Sequence, residues 1–330
     1  MVGTAVRLSA ITVAAFATLA PTSLAHAQSY PSRQVQVICA LGAGTGVDIT
    51  ARLYSERLQK RLGQPFVVEN RPGAAQMVAV DSVKNAAPDG YMLGVFTSAA
   101  MAIRPTMMKK PTYDPLKDFI PVAQYLKSPF VLVVNPSLPV KSVSELITYL
   151  KSQPGKVGYA ISSIGGAPHL AGEYVALNFG VPLSAVPYKQ SPQAFQDVAA
   201  GHVPLSFADA GTALPLIISG QLRALAVTTT TRLPTLPDVP TLAEALKVPD
   251  LELVSWHVLS APANTPAAIV NRLHEEMKVI MADPEITAKV ASLGLLPHPV
   301  APVPEAQAYI KSEIEKWGGI IRKLGLAGSI

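Results

Sequence analysis

Three junctions between predicted strands and predicted helices carry the residues best suited to bind a ligand. The first is a glycine-rich turn over residues 42–46 with Asp48 just beyond it, the second is Thr97 with Ser98, and the third spans residues 162–168. The first N–H groups of a helix have no partner within the helix, and the helix dipole makes this end positive. Ligands of open α/β sheets bind outside the carboxyl ends of the strands. The spacing therefore predicts a site for a small anion, and the anion implied is a carboxylate.

Common catalytic templates find no match. No serine lies in a G-x-S-x-G motif, His274-Glu275 lacks a second histidine four residues after the first, and no Walker A lysine follows the glycine turn. The turn also lacks the third glycine of a dinucleotide fingerprint. Cys39 is the only cysteine, so neither an intramolecular disulfide nor a cysteine-based zinc site can form. We expect a binding protein and no enzyme, with no metal and no cofactor.

The elements that must position these junctions alternate along the chain. Strand-length apolar runs, each followed by a turn and a helical pattern, occur at residues 34–41, 66–69, 91–96 and 157–161. This alternation is typical of parallel sheets covered by helices, which predicts an α/β fold. Two more apolar runs, residues 130–135 and 251–260, are interpreted as crossings between two lobes. Lobe 1 is then residues 28–127 plus 255–330 and lobe 2 is residues 128–254, with a hinge where the chain crosses twice.

The N-terminus has the layout of a secretory signal peptide. Arg7 precedes an apolar run over residues 8–20, and Ala25 and Ala27 are the small residues before a cleavable bond. We therefore predict that residues 1–27 direct export and are removed. The mature chain then has 26 basic and 22 acidic residues, and this net charge of +4 is too small and dispersed to indicate nucleic acid.

Eight motifs in one order resemble a known receptor family. They are ENRPGA at 69–74, APDGY at 87–91, YDPLKDF at 113–119, VVNPSLP at 133–139, HLAGE at 169–173, VPYK at 186–189, LRALAVT at 222–228 and LPDVPT at 236–241. Together they cover nearly the whole mature chain. The sequence is similar to the Bug-type periplasmic solute-binding receptors of the tripartite tricarboxylate transporter family.

The resemblance implies a fold like the type II periplasmic-binding proteins, in which two α/β lobes joined by two crossing strands close on a ligand in the cleft between them. It implies that a small organic acid is held by backbone amides at helix N-termini and delivered to a two-component membrane permease in the periplasm. We expect a monomer. The ligand-binding residues, most of them at the junctions above and the last two carried over by motif, are Gly44, Thr45, Gly46, Asp48, Thr97, Ser98, Ser162, Ser163, Gly165, His169, Ala208 and Asp209.

Each of these residues also has an ordinary structural interpretation. The glycines suit tight turns, and the serine, threonine and aspartate residues are good helix caps. His169 could lie on the surface, and Trp256 and His257 are interpreted as core.

The sequence departs from the family pattern at three places. Thr45 stands in the first loop where glycine is usual, and threonine adopts positive φ far less readily. Ala75-Gln76 replaces a small pair after Pro72-Gly73-Ala74, and Ala208 stands where an acidic residue is common. Loss of that negative charge favours a second carboxylate or an aromatic ring over the ammonium group of an amino acid.

Two other functions remain open from the sequence. An exported enzyme acting on a carboxylate would need Asp48, His169 and Asp209 as its acid and base groups. A periplasmic sensor would present its closed form to a signalling protein in place of a permease.

Overall fold

The computed structural model describes residues 30–161, 164–188 and 190–330. The predicted signal peptide and the candidates Ser162 and Ser163 lie outside the described residues. Within the described part, no helix has both the length and the apolar character needed to cross a membrane.

Strands and helices alternate through most of the chain. The strands are β1 (Val35–Cys39), β2 (Phe66–Asn70), β3 (Met92–Thr97), β4 (Phe119–Ser128), β5 (Phe130–Val134), β6 (Val157–Ile161), β7 (Leu183–Pro187), β8 (Leu205–Asp209), β9 (Arg223–Val227), β10 (Ser255–Pro262) and β11 (Leu296–Pro297). The helices are α1 (Gly46–Leu62), α2 (Met77–Lys84), α3 (Arg104–Met107), α4 (Val143–Ser152), α5 (Ala167–Phe179), α6 (Ser191–Ala199), α7 (Ala210–Ile218), α8 (Leu242–Leu246), α9 (Ala267–Met281), α10 (Pro284–Ser292) and α11 (Val303–Lys323). A 3-10 turn at Ala74–Gln76 precedes α2, and a π-helical segment at Ala99–Ile103 precedes α3.

The strands form two sheets, one in each lobe of the predicted α/β fold. The first sheet has the order β11-β4-β10-β3-β1-β2 and the second has the order β7-β6-β8-β5-β9. In the first sheet β1 is parallel to β2 and β3, and in the second β6 is parallel to β7 and β8. The carboxyl ends of these parallel strands lie at one edge of each sheet, so the helices that follow them start at that edge.

Helices cover both faces of each sheet. In the first lobe α1 and α9 pack on one face, where Leu58 and Met277 are buried, and α2 and α11 pack on the other, where Val80 and Trp317 are buried. In the second lobe α4 and α5 cover one face and α6 and α7 cover the other. The helices α1, α5 and α7 therefore begin after strand ends that the core holds in place.

The chain passes between the two sheets at two places. β4 ends in the first sheet at Ser128 and β5 begins in the second at Phe130, and the chain returns between Thr228 and Ser255. Residues 130–135, which the sequence indicated as a crossing, instead contribute β5 to the interior of the second sheet, between β8 and β9.

Hydrogen bonds join the two crossing segments to each other. The N–H of Thr228 donates to the carbonyl of Phe130 at 3.0 Å, and the N–H of Leu253 donates to the carbonyl of Thr228 at 2.9 Å. The Thr228 hydroxyl also accepts from the N–H of Phe130 at 3.0 Å. These bonds make the two crossings one connected hinge.

We predict opposite effects of alanine at two helical glycines. A Cβ on Gly172 of α5 would lie 2.3 Å from the Tyr159 ring, which is fully buried and hydrogen-bonded to Glu173 at 2.8 Å. Gly172→Ala should lower the free energy of unfolding by about 1–3 kcal/mol because the ring cannot move away. Gly319→Ala in α11, where no described atom lies within 4 Å of an added Cβ, should raise it by up to about 1 kcal/mol. Urea unfolding of both variants checks this, and equal effects would contradict it.

Candidate functional site

The turn before α1 is held by the Asp48 carboxylate. Asp48 is buried and accepts hydrogen bonds from the Gly44 N–H at 2.9 Å and from the Asn70 side-chain amide at 2.8 Å, and Arg52 lies 3.0 Å from the same carboxylate. In return, the N–H of Asp48 donates to the Thr45 hydroxyl at 3.3 Å. This reciprocal pattern resembles a capping box. Since its oxygens are engaged within the protein, Asp48 shapes the turn.

The pKa of Asp48 reflects these contacts. Burial by itself would raise the pKa of the carboxyl, but the hydrogen bonds from Arg52, Gly44 and Asn70 outweigh burial and hold the pKa below its ordinary value. The side chain is therefore an anion that stabilises the turn.

Thr45 fits the turn without left-handed backbone geometry. Its φ is −74° and its ψ is 158°, which is extended backbone suited to a helix N-cap, and Gly44 adopts the positive φ of 80°. The difficulty expected for threonine at this position does not arise, because the left-handed residue is the glycine before it.

The start of α1 presents unpaired backbone donors. Among the described residues, the N–H groups of Gly46 and Val47 have no hydrogen-bond acceptor, as expected for the first positions of a helix. Gly44 does not add a third donor, since its N–H is bonded to Asp48. The free donors at the start of α1, among the described residues, are therefore Gly46 and Val47.

Thr97 and Ser98 of the second junction have different roles. The Thr97 hydroxyl, at the end of β3, accepts from the Gln76 side-chain amide at 2.8 Å and from the N–H of Ala99 at 3.3 Å. Ser98 is fully buried, and its hydroxyl pairs with that of Ser255 on β10 at 3.0 Å. Thr97 therefore stays a candidate, whereas the Ser98 side chain is committed to the interior.

The third junction is described from residue 164 onward. Gly165 has a φ of 74°, and its N–H donates to Nδ1 of His169 at 3.3 Å. Burial lowers the pKa of His169, and Glu173, with Oε1 3.8 Å from Nε2, opposes this only in part. His169 is therefore a neutral imidazole that accepts at Nδ1. Among the described residues no side chain caps α5, and the N–H groups of Ala167 and His169 have no acceptor.

The junction between β8 and α7 carries the last two candidate residues. Ala208 is 0% exposed and packs in the core of the second lobe beside Val131, so its methyl group is turned away from the surface of that junction. Strand alternation is the reason, because Ala208 of β8 points into the core. The Asp209 carboxylate accepts from the N–H of Thr212 at 3.1 Å and caps α7.

The start of α7 touches the other lobe. A Cβ on Gly211 would lie 2.0 Å from the carbonyl oxygen of Leu293, and a Cβ on Gly294 would lie 2.5 Å from the Cα of Gly211. Only residues without side chains allow the two backbones to come this close.

Two further contacts lie beside the other helix starts. A Cβ on Gly165 of the second lobe would lie 3.3 Å from Sδ of Met107 on α3 of the first lobe. Gly46, at the start of α1, is near Leu295, which directly follows the segment that touches Gly211. The starts of α1 and α7 therefore lie near each other, and the segment before α5 contacts the first lobe at Met107.

The side chains that could ligate a metal are dispersed over the part of the chain that the structure describes. In that part, no three His, Cys, Asp or Glu side chains lie close enough together to hold a metal ion.

Two residues that the sequence did not place in the site support its candidate members. Asn70 bonds to Asp48, and Gln76 bonds to Thr97. The only sequence signal for Gln76 was its departure from the family pattern.

Comparisons with known proteins agree with this architecture. A family model described as "Tripartite tricarboxylate transporter family receptor" matches residues 50–326. Protein BugT of Bordetella pertussis is 33% identical over 320 residues, which cover 97% of this chain and 98% of BugT. A UPF0065 protein of Bordetella bronchiseptica is 37% identical over 82% of this chain and 79% of that protein.

Solved structures give the same result. R. palustris Rpa4515 with adipate is 34% identical with a TM-score of 0.82, over 90% of this chain and 99% of that one. MatC from Rhodopseudomonas palustris with bound malate is 28% identical with a TM-score of 0.77, over 88% and 100%. The resemblance found in the eight motifs is confirmed. The chain belongs to the tripartite tricarboxylate transporter receptor family, whose members are periplasmic solute-binding proteins, and it is a receptor and not an enzyme.

Proposed function

We propose that this protein captures a small carboxylate in the periplasm between its two lobes and delivers it to a membrane permease. The observation that carries the proposal is the set of N–H groups, unpaired among the described residues, at the start of α1 in one lobe and of α5 in the other. Two related solved structures, Rpa4515 with adipate and MatC with bound malate, support a carboxylate as the ligand class.

Among the described residues, the unpaired donors that this proposal uses are Gly46 and Val47 of the first lobe and Ala167 and His169 of the second. Each hydrogen bond to a charged group contributes about 1.5–3 kcal/mol. A micromolar Kd corresponds to about −8 kcal/mol, and association costs several kcal/mol before any net affinity appears. Backbone amides therefore hold one carboxylate, and contacts to the rest of the ligand must add the remainder.

Closure follows from the placement of these donors in both lobes. A ligand that contacts the two lobes binds the closed form more tightly than the open form, which shifts the population toward closure. We propose the same two lobes as the sequence predicts, with residues 28–127 plus 255–330 in lobe 1 and residues 128–254 in lobe 2. The sheets support this division, because β4 and β10 lie in the first sheet and β5 lies in the second. Residues 1–27 would direct export, and the closed monomer is the form presented to the permease.

We expect the mature protein to be stabilised by carboxylates in a thermal-shift screen. A ligand at a hundred times its Kd contributes about 2.7 kcal/mol, which for a chain of this size raises Tm by about 5 °C. The panel contains mono-, di- and tricarboxylates, aliphatic and aromatic, with the primary amide of each acid as its matched control. A response to sugars or amines with none to carboxylates would reject the proposal.

Closure should depend on the close backbone contact at Gly211. In Gly211→Ala, the added Cβ would overlap the Leu293 carbonyl and hold the lobes apart. We expect at least a tenfold weaker Kd for the carboxylate found in the screen and no contraction on ligand addition by small-angle X-ray scattering. Gly155→Ala, in the same lobe with open space around its Cβ, is the control. Wild-type affinity in Gly211→Ala would show that the contact is not needed.

The Asp48 carboxylate should stabilise the fold in a pH-dependent way. Its pKa in the folded protein lies below the ordinary value of 3.8, so the stabilisation is complete well above that value and is lost as the pH falls through the folded pKa. The stability difference between wild type and Asp48→Asn should be constant near neutral pH and shrink below pH 3.8. Urea unfolding of both proteins at a series of pH values measures this difference in the free energy of unfolding. An increase of the difference as the pH falls would contradict the prediction.

A further inference from the structure

Gln76 lies in a loop whose backbone conformation suits glycine. Ala74, Ala75 and Gln76 follow one another with φ values of 42°, 50° and 77°, in the left-handed region that residues with a Cβ rarely adopt. Three such residues in succession persist only where the surrounding structure holds them. The loop therefore keeps a strained path that brings the Gln76 side chain inward.

The side-chain amide of Gln76 is buried, and only its nitrogen forms a hydrogen bond to a described residue. The side chain is 6% exposed, and Nε2 donates to Thr97 Oγ1 at 2.8 Å. Within the described part of the chain, Oε1 has no hydrogen-bond partner. A buried acceptor without a donor is unfavourable, and native structures rarely leave one unpaired. A side chain that only tied the loop to β3 would not require this orphaned oxygen.

The pair formed by Gln76 and Thr97 lies at the carboxyl edge of the first sheet. Gln76 belongs to the loop after β2, and Thr97 is the last residue of β3. β1 lies between these two strands, so the bond between the side chains crosses the end of β1, from which the turn to α1 departs. The pair therefore lies at the same edge of the first sheet as the N–H groups of Gly46 and Val47, unpaired among the described residues, that the proposed function assigns to the ligand carboxylate.

Thr97 supplies a free donor beside this free acceptor. A threonine hydroxyl has two acceptor lone pairs and one hydrogen. The lone pairs of Thr97 are used by Gln76 Nε2 and the Ala99 N–H, and among the described residues the hydrogen has no acceptor. By covalent geometry Oε1 of Gln76 and Oγ1 of Thr97 are roughly 4–5 Å apart, so one oxygen atom can lie at hydrogen-bond distance, about 2.8 Å, from both.

We propose that Gln76 Oε1 and the Thr97 hydroxyl together bind a hydroxyl group of the ligand, which makes Gln76 the residue that selects hydroxy-carboxylates. A ligand hydroxyl accepts from Thr97 and donates to Gln76, whereas a second carboxylate oxygen has no proton to donate and would be repelled by Oε1. This inference rests on the proposed function, because it describes the group next to the carboxylate that the helix starts hold.

The test compares acids that differ by one hydroxyl. Isothermal titration calorimetry of the mature protein measures Kd for succinate and malate, tricarballylate and citrate, and phenylacetate and mandelate. In the wild type, the hydroxylated member of at least one pair should bind at least tenfold more tightly. In Gln76→Gly that ratio should fall below about threefold, while Tm of the free protein rises because glycine suits a φ of 77°.

Ala75→Gly is the matched control, because it relieves the same kind of backbone strain one residue away and leaves the amide in place. It should raise Tm and keep the wild-type ratio. Gln76→Glu is the second variant. It removes the donor to Thr97 and adds a negative charge, so all the acids should bind at least tenfold more weakly.

Each other outcome has a definite meaning. If the acids bind but the wild type does not distinguish the pairs, or Gln76→Gly keeps the ratio, the role of Gln76 is overturned and the carboxylate proposal stands. If Ala75→Gly also loses the ratio, loop geometry and not the amide sets the preference, and the inference is overturned. If no acid of the panel binds, both proposals fail.

Discussion

The proposed function depends first on the backbone N–H groups at helix starts that have no hydrogen-bond partner among the described residues. A helix always has such groups, but a protein usually satisfies them with caps. Here Asp48 bonds back to Gly44, and its own N–H is taken by Thr45, which leaves Gly46 and Val47 free of any described acceptor. The capping residues thus decide which donors remain for a ligand. Because these donors are part of the backbone, proline is the only substitution that removes them directly.

The parallel strands determine where these donors point. β1 and β3 in the first lobe and β6 and β8 in the second all deliver their following segments to one edge of their sheet. The connected hinge at Phe130, Thr228 and Leu253 sets these two edges against each other. Gly211 and Gly294 then let the backbones of the two lobes come into contact. Sheet order, hinge and glycines act together, since the donors of one lobe alone would not couple binding to closure.

Much of this could be predicted from the sequence, because strand and helix periodicities are local. The strand at Val157–Ile161 lies where the pattern indicated, and helices follow the turns after β1 and β6 as expected. β4 was not predicted, since Pro121, Gln124 and Lys127 interrupt its apolar pattern and its pairing with β10 is a long-range contact. Ala208 and Ser98 lie at strand ends, but sequence position does not reveal which face of the chain points inward, and both side chains are buried.

The loop before α2 departs from the family pattern and carries backbone strain. Ala75 and Gln76 adopt left-handed angles that glycine would adopt freely, so each of these side chains adds strain. Strain of this kind lowers stability without improving packing by itself. In return, the loop places the buried side-chain amide of Gln76 near the end of β1. Its nitrogen donates to Thr97, and its oxygen has no hydrogen-bond partner among the described residues. In the proposed function the backbone supplies the affinity for negative charge, and in the proposed role of Gln76 a side chain held against its conformational preference distinguishes one anion from another.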